Sequence, residues 1–292
     1  TAGFTAVKWG LSGDVPVPGD YDGDGKSDTA VFRASDVLNA PDFYILTSGS
    51  FVFNAYSYGS TGDIPVAGDF DGDGKSDIVV FRPSIGAWFL FESSTQLSRA
   101  ALFGAPGDMP VAMDNDGDGK SNLAVFRPSN NTWYIARPTG VPAQNFDAVP
   151  FGTAGDVIVP ADYDGDNKDD IAVFRPSEGN WYILRSTNGS LMATHFGASG
   201  DIAVPGDYDG DGKDDVAVYR NGIWYINGST SGFSAASFGL ATDVPIPAKG
   251  QVRVRVLLIG RPAVRRPPAP RPVAAAATPE AQPTHDRLER RQ

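Results

Sequence analysis

The chain contains no cysteine and only two histidines, His195 and His285, among its 292 residues. Without cysteine there is no disulfide framework, thiolate metal site or thiol nucleophile. With two histidines, a multi-histidine zinc site and a Ser-His-Asp triad are close to excluded. No apolar run approaches the ~18–20 residues that a membrane-spanning helix needs. The sequence therefore predicts no membrane span and no chemistry based on thiols or clustered imidazoles.

Basic residues are scarce in most of the chain. Residues 1–250 hold 15 Lys and Arg against 32 Asp and Glu, whereas residues 251–292 hold 9 basic and 3 acidic residues. A body with a net charge of −17 repels phosphate backbones, so we expect no nucleic-acid binding by the main domain. The 34 glycines and 23 prolines favour many turns and few long helices.

An acidic ten-residue motif recurs five times along residues 1–250. It begins as GDYDGDGKSD at 19–28, and its later copies start at 68, 113, 161 and 206. Each copy precedes an apolar run that ends in aromatic-Arg, then a turn, an aromatic run such as WYIL at 181–184, and a closing aromatic-Gly. The repeats lie near 13–59, 62–104, 107–152, 155–197 and 200–239.

The runs within each repeat are typical of β-strands. They are four to seven residues long, rich in β-branched and aromatic residues, and bounded by Gly, Pro, Asn and Ser. Four short strands per ~47 residues match a blade of a β-propeller. A solenoid of β-coils is the competing architecture, but its repeats are usually shorter. We therefore predict an all-β propeller of four-stranded antiparallel blades over residues 1–250.

The number of blades is less evident from the sequence. Five repeats are complete, but Phe4–Gly10 resembles a closing strand and Thr242–Pro247 an opening strand. The simplest closure of a ring joins these two segments in a composite, incomplete sixth blade, to which 251–260 could add a further strand. The remainder up to residue 292 is rich in Pro, Ala and Arg and predicts a disordered tail, which is either a linker or a basic arm.

The acidic loops have the composition of calcium sites. In the first copy, three aspartates alternate, a glycine permits a sharp bend, a backbone carbonyl near the lysine turns inwards, and a ninth-position aspartate closes the shell. Hard oxygen ligands in flexible geometry suit Ca²⁺ better than Mg²⁺, and no soft ligand is available. We predict about five Ca²⁺ ions, one per loop, bound by Asp20, Asp22, Asp24, Lys26 and Asp28; Asp69, Asp71, Asp73, Lys75 and Asp77; Asp114, Asp116, Asp118, Lys120 and Asn122; Asp162, Asp164, Asp166, Lys168 and Asp170; and Asp207, Asp209, Asp211, Lys213 and Asp215.

Two loops depart from the pattern. Asn122 replaces a carboxylate by an amide, so the third site is expected to be the weakest. Asn167 replaces the turn glycine, and asparagine tolerates a left-handed backbone, so the fourth site is expected to survive. The alternative is that these segments are ion-free turns, but the three or four carboxylates of each nine-residue loop would then repel each other in all five copies. The loops also resemble the start of an EF-hand, although strands and not helices flank them.

These motifs resemble the FG-GAP/VCBS repeat family, which includes the propellers of integrin α-subunits and many bacterial surface proteins. The resemblance rests on FGAPGD at 103–108, the DGDGKS that follows, and VFRPS, and it covers about 240 residues. It implies a β-propeller with calcium in the loop between the first two strands of each blade, an extracellular location, and a protein or glycan partner.

Other residues also recur in register. A tryptophan recurs at 88, 133, 181 and 224, and we interpret it as packing between blades, with sugar stacking as the alternative. The arginines at 33, 82, 127, 175 and 220 are expected to pair with Asp14, Asp63, Asp108, Asp156 and Asp201, with a ligand-binding ring as the alternative.

No pair of acids outside the loops suggests a glycosidase. The uniform repeats favour a non-catalytic, calcium-stabilised binding scaffold for adhesion, alone or as a module of a larger surface protein. The alternatives are a carbohydrate-binding lectin and an accessory domain of a polysaccharide-degrading enzyme.

Overall fold

The computed structural model describes residues 6–246, and these form an all-β, five-bladed propeller without helices. Each blade is a four-stranded antiparallel sheet whose spatial order follows the chain. The predicted fold class is therefore confirmed. No helix in this part of the chain is long and apolar enough to cross a membrane.

Twenty short strands build the blades. Blade 1 contains β1 (Val15–Pro16), β2 (Thr29–Phe32), β3 (Phe43–Leu46) and β4 (Phe53–Tyr56), and blade 2 contains β5 (Ile64–Val66), β6 (Ile78–Arg82), β7 (Ala87–Phe91) and β8 (Ser98–Leu102). Blade 3 contains β9 (Met109–Met113), β10 (Asn122–Arg127), β11 (Thr132–Ala136) and β12 (Phe146–Pro150). Blade 4 contains β13 (Val157–Ile158), β14 (Ile171–Arg175), β15 (Asn180–Leu184) and β16 (Leu191–His195), and blade 5 contains β17 (Ile202–Ala203), β18 (Val216–Arg220), β19 (Ile223–Gly228) and β20 (Gly232–Ser237).

Burial follows the position of a strand within its blade. The second strands are buried on both faces, as in β6, where Ile78, Val79, Val80 and Phe81 are all at most 4% exposed. The fourth strands contain no buried residue, and three of them, such as β16, alternate between exposed and half-buried positions. This gradient arises because consecutive blades pack face to face over their inner strands and leave the outermost strand beside solvent.

Four hydrophobic clusters join consecutive blades, from blade 1 to blade 5. Between blades 2 and 3, for example, Phe81 and Trp88 pack with Leu123 and Val125. A fifth, smaller cluster of Val204, Ala217 and Tyr219 lies within blade 5. None of the clusters in residues 6–246 joins blade 5 to blade 1.

Three of the four repeated tryptophans are core residues, as predicted, and the fourth, Trp224, is partly buried. Trp88, Trp133 and Trp181 are fully buried, and each donates its Nε1–H to the carbonyl of the aromatic residue before the closing glycine, at 2.7–3.1 Å. Burial of an indole requires a hydrogen-bond partner for its N–H. This rules out the idea that these three side chains form exposed sugar-stacking platforms.

The repeated arginines are held as predicted. Arg127 donates from Nε and Nη2 to the two carboxylate oxygens of Asp108, each at 2.8 Å, and its guanidinium lies 4.3 Å from the ring centre of Tyr134. The same bidentate pair and ring contact recur in the other four blades. Two-point hydrogen bonding fixes the planar group, so the arginines serve as clamps at the end of each second strand.

The composite sixth blade is not present among the described residues. Neither Ala6–Gly10 nor Ala241–Ile246 forms a strand. Trp9 instead lies against blade 1, where its Nε1 donates to the Tyr44 carbonyl at 3.2 Å. Asp243 accepts a hydrogen bond from the Leu240 amide at 2.8 Å, as the corresponding aspartates accept one from the equivalent amide at the start of four of the complete repeats. The predicted strand at 251–260 and the predicted tail lie outside the described residues.

Candidate metal centres

Each acidic loop connects the first and second strands of its blade. In blade 1, an isolated bridge between Gly19 and Asp28 closes the base of the loop. Gly23 and Gly25 both have positive φ values, 82° and 80°, which bend the chain tightly enough for its side chains to converge. At the second bend of loop 4, Asn167 adopts a φ of 65°, so the prediction of a left-handed asparagine is confirmed.

The first aspartate of each loop organises the turn. Asp20 accepts hydrogen bonds from the Gly23 amide through Oδ1 at 2.7 Å and from the Gly25 amide through Oδ2 at 2.8 Å. The corresponding pair of bonds recurs in the other four loops. The first aspartate of each loop, itself a candidate metal ligand, therefore holds the loop backbone in its bent conformation through these hydrogen bonds.

Each loop brings three carboxylates together, with one oxygen of each lying within 4.8 Å of the others. In four loops these are the aspartates of the first, third and ninth positions. The groups are Asp20, Asp22 and Asp28; Asp69, Asp71 and Asp77; Asp162, Asp164 and Asp170; and Asp207, Asp209 and Asp215. Most of the sequence-predicted ligands are thus neighbours in space.

The ninth-position aspartate is the most buried of the three. Asp77 is fully buried, and its two oxygens accept hydrogen bonds from the amides of Phe70 and Ser93, at 2.8 and 2.7 Å. Burial nevertheless raises the pKa of Asp77 to about 6, and it also raises the pKa values of Asp28 and Asp170. A buried carboxylate beside two others is poorly stabilised as an anion unless a cation joins it.

The fifth-position aspartate lies outside the group in four loops. In loop 1, Asp24 accepts hydrogen bonds from the Lys26 amide at 2.9 Å and from the Ser48 hydroxyl at 3.0 Å. The seventh-position lysine, whose carbonyl is predicted as a ligand, contributes its amide to this turn. In the structure, the fifth-position aspartate of these loops therefore stabilises the conformation of the loop through hydrogen bonds and does not join the group of three carboxylates.

The third loop differs because of Asn122. Its group consists of Asp114, Asp116 and Asp118, with the fifth-position aspartate in place of the ninth residue. The Asn122 oxygen accepts the Asn115 amide hydrogen bond at 2.8 Å, and its Nδ2 lies 3.3 Å from Asp116 Oδ2. An amide donor thus occupies the place of the fourth carboxylate.

Sequence reasoning missed a set of hydroxyl residues after the third strand of four blades. They contact the loop carboxylates and are Ser48, Ser93, Ser94, Ser186, Thr187, Ser229 and Thr230. Hydrogen bonds from Ser229 and Thr230 lower the pKa of Asp211 to about 2, which keeps this carboxylate ionised. The available signal was a Ser- and Thr-rich turn after four of the five aromatic runs, which blade 3 replaces with Arg137-Pro138.

The donor set fits a hard divalent cation. Asp164 Oδ1 and Asp209 Oδ1 are buried without a hydrogen-bond partner, and both belong to the three-carboxylate groups. A buried carboxylate oxygen without a partner carries a large free-energy cost, which a bound cation removes. Only oxygen atoms converge in these groups, and oxygen is the ligand atom that Ca²⁺ prefers.

Fold and loops together define the class of protein as a β-propeller in which every blade carries an acidic loop between its first two strands. The model of the FG-GAP-like repeat matches residues 12–80, 114–173 and 162–218, which is more than half of the chain. The chain therefore belongs to the FG-GAP-like repeat family, and the predicted family is confirmed.

Solved structures share the fold at low sequence identity. A lectin from Agrocybe aegerita, described as recognising non-reducing terminal N-acetylglucosamine, is 17% identical with a TM-score of 0.51, and the match covers 76% of this chain and 65% of the lectin. The chain thus spans slightly less than two thirds of that protein. A catalytically inactive virginiamycin B lyase from Staphylococcus aureus, crystallised with quinupristin, is 8% identical with a TM-score of 0.50, over 82% of this chain and 73% of the lyase. No curated protein matches the chain.

Proposed function

We propose that this protein is a non-catalytic, extracellular β-propeller that about five Ca²⁺ ions stabilise, and that it presents a binding surface for adhesion, alone or as a module of a larger surface protein. The observation that carries the proposal is the fivefold recurrence of three convergent carboxylates at one place in the blade. Bound calcium would neutralise the mutual repulsion of these three carboxylates.

The distribution of acidic residues supports a structural role for the ion. Of the 32 acidic residues in 1–250, 19 lie at predicted ligand positions, so the metal-free loops concentrate most of the negative charge. An extracellular location supplies the millimolar calcium that modest sites need, because extracellular modules typically bind calcium with dissociation constants of about 0.1–1 mM.

A non-catalytic role is supported by the near-identity of the loops. An enzyme usually makes one site unlike its copies, whereas four of these loops place the same three positions together and hold the ninth aspartate with the same backbone amides. The fold itself is neutral on this question, since similar propellers host different activities.

Calorimetric melting of the full chain with excess calcium and with EDTA tests the proposal, together with metal counting by mass spectrometry. We expect about five bound ions and a large fall in melting temperature on chelation. At free calcium about twenty times the dissociation constant, each site adds about 1.8 kcal/mol to the free energy of unfolding. Glu178→Gln, which neutralises a carboxylate outside the loops, is the control and should leave the ion count unchanged. Folded protein without bound metal would refute the assignment.

A carbohydrate ligand is a second candidate, which a cavity on blade 1 supports. The cavity measures about 290 Å³ and is lined by Trp9, Gly10, Leu11, Val31, Arg33 and Tyr44. Aromatic faces beside a fixed charged group are typical of small-ligand sites. A glycan array with calcium-loaded protein tests this role, and Trp9→Ala should abolish any hit while Phe51→Ala, at an exposed aromatic residue that does not line the cavity, should not. An array without hits in saturating calcium removes this candidate.

A further inference from the structure

Neighbouring acidic loops are joined by a main-chain hydrogen bond. The amide of the eighth-position residue in one loop donates to the carbonyl of the first aspartate in the preceding loop, at 2.5–2.6 Å. The bonds run from Ser76 to Asp20, from Ser121 to Asp69, from Asp169 to Asp114 and from Asp214 to Asp162. The residue that anchors each group of carboxylates is therefore fixed in part by the next blade.

At loops 4 and 5, the side chain of the eighth-position residue also accepts a hydrogen bond from the amide of the first aspartate in the preceding loop. Asp169 Oδ2 accepts the Asp114 amide hydrogen bond at 2.8 Å, and Asp214 Oδ2 accepts that of Asp162 at 3.1 Å. The corresponding residues of the earlier loops are serines. Loops 3 and 4, and loops 4 and 5, are consequently linked in both directions.

The seventh-position lysine also reaches the preceding loop. A Cβ atom built on Gly165 of loop 4 would lie 3.0 Å from Lys213 Cε and 3.1 Å from its Cγ, so the lysine stem covers that glycine. Lys75, Lys120 and Lys168 cover Gly23, Gly72 and Gly117 in the same way. Lys120 Nζ also donates to the Asp71 carbonyl at 2.8 Å, which places its charge beside the carboxylates of loop 2.

The two ends of the series lack these contacts among the described residues. Gly210 of loop 5 has no atom within 4 Å of its built Cβ. The Lys26 side chain of loop 1 is 70% exposed and contacts only Asp24 of its own loop. The loops therefore form a linear series of four linked pairs.

We propose that calcium binding is coupled between neighbouring loops through the covering lysine and the joined amide, so that an ion in one loop raises the affinity of the adjacent loop. This coupling rests on the proposed calcium binding. An ion held by the ninth-position aspartate of one loop would order the adjoining eighth-position amide and seventh-position lysine, which contact the preceding loop. Because binding free energies are linked reciprocally, each pair affects both members equally, and the first and fifth loops have one partner each.

Calcium titration of the full chain by NMR tests the coupling, with a separate reporter in each loop. The sixth-position amides donate to the first aspartate, and they belong to Gly25, Gly74, Gly119, Asn167 and Gly212. Selective ¹⁵N-glycine and ¹⁵N-asparagine labelling makes each of them observable. Lys213→Ala removes both the aliphatic stem and the charge that contact loop 4, whereas Lys213→Met keeps most of the stem and removes only the charge. Lys26→Ala is the matched control, because the Lys26 side chain contacts no neighbouring loop among the described residues.

Loss of the Lys213 charge alone favours calcium in loop 4, but loss of the stem that orders the loop disfavours it. We expect the second effect to dominate, so that Lys213→Ala weakens calcium binding at the Asn167 reporter by about fivefold or more, which is the lower end of typical couplings between sites. Lys213→Met, which loses the same charge but keeps most of the stem, should bind calcium at Asn167 at least as tightly as wild type. Lys26→Ala, whose side chain contacts no neighbouring loop, should leave the affinities at all five reporters close to wild type. A Lys213→Ala protein that binds calcium at Gly212 and Asn167 with wild-type affinities would overturn the coupling while leaving calcium binding intact. If no reporter responds to calcium in the wild type, the proposed function itself fails. Near-ultraviolet circular dichroism confirms that each variant is folded.

Discussion

At the residue scale, the ninth-position aspartate ties stability to pH. Because burial raises the pKa of Asp77 to about 6, against 3.8 for an ordinary aspartate, the folded metal-free chain holds this proton more tightly than the unfolded chain does. The favourable contribution is complete below about pH 4 and is lost as the pH rises past about 6, and it amounts to about 3 kcal/mol. Calcium acts in the opposite direction, since it favours the ionised carboxylate.

Asp77→Asn should therefore have opposite effects with and without calcium. In EDTA, the stability of the variant relative to wild type should improve by about 3 kcal/mol between about pH 4 and about pH 7. This gain is set against a pH-independent loss of about 1–3 kcal/mol, because asparagine cannot accept both the Phe70 and the Ser93 amide hydrogen bonds. In excess calcium the variant should be the less stable protein, because the ion loses a carboxylate. Urea denaturation at both pH values measures these differences. A stability difference between variant and wild type that stays the same from about pH 4 to about pH 7 in EDTA would contradict the expected origin of the effect. Loop 3 carries the same change naturally, as Asn122.

Most of the predicted ligand residues could be placed from sequence because the information is local. Asp20, Asp22 and Asp28 lie within nine residues, and alternation around a glycine bend is enough to bring them together. The contacting hydroxyl of Ser48 lies 24 residues from Asp24, and its approach depends on the pairing of the second and third strands. A local sequence motif cannot predict contacts of this kind, because they depend on how the strands pair.

At the scale of the strand, composition predicted the four strands per blade, because apolar runs and turn residues alternate with little ambiguity. It did not predict how burial differs between blades. Trp133 and Trp224 occupy the same repeat position and make the same hydrogen bond to a carbonyl, at 3.1 and 2.9 Å. Trp133 is fully buried against blade 4, whereas Trp224 remains partly exposed because no described cluster covers the far face of blade 5.

The described part of the predicted sixth blade, residues 6–10 and 241–246, does not form strands, and the rest of it lies outside the described residues. Resemblance to an opening or closing strand is a local property, but a strand forms only where a partner strand offers its backbone groups. Residues 241–246 contain the apolar and proline pattern of an opening strand, and the second strand predicted to pair with them, at 251–260, lies outside the described residues. Trp9 likewise packs on an existing blade and does not extend a new one.

At the scale of the whole molecule, stability should decline towards blade 5. Blade 4 packs Ala172, Phe174, Trp181 and Ile183, all unexposed, against blade 5. The equivalent face of blade 5 has Ala217 and Tyr219 buried, but Trp224 and Ile226 are only partly buried. Local opening requires less free energy where fewer apolar contacts must be broken.

Amide hydrogen exchange of calcium-loaded protein should reveal this decline. We expect β18 and β19 of blade 5 to exchange at least about tenfold faster than β14 and β15 of blade 4, which corresponds to a difference of about 1.4 kcal/mol in opening free energy. The strands compared have the same positions in their blades and similar sequences, IAVFR with NWYIL against VAVYR with IWYING, so their intrinsic exchange rates differ little. Peptide-resolved mass spectrometry provides the measurement. Equal protection of the two blades would contradict the expected gradient, because it would mean that the face of blade 5 which no described residue covers is covered in solution.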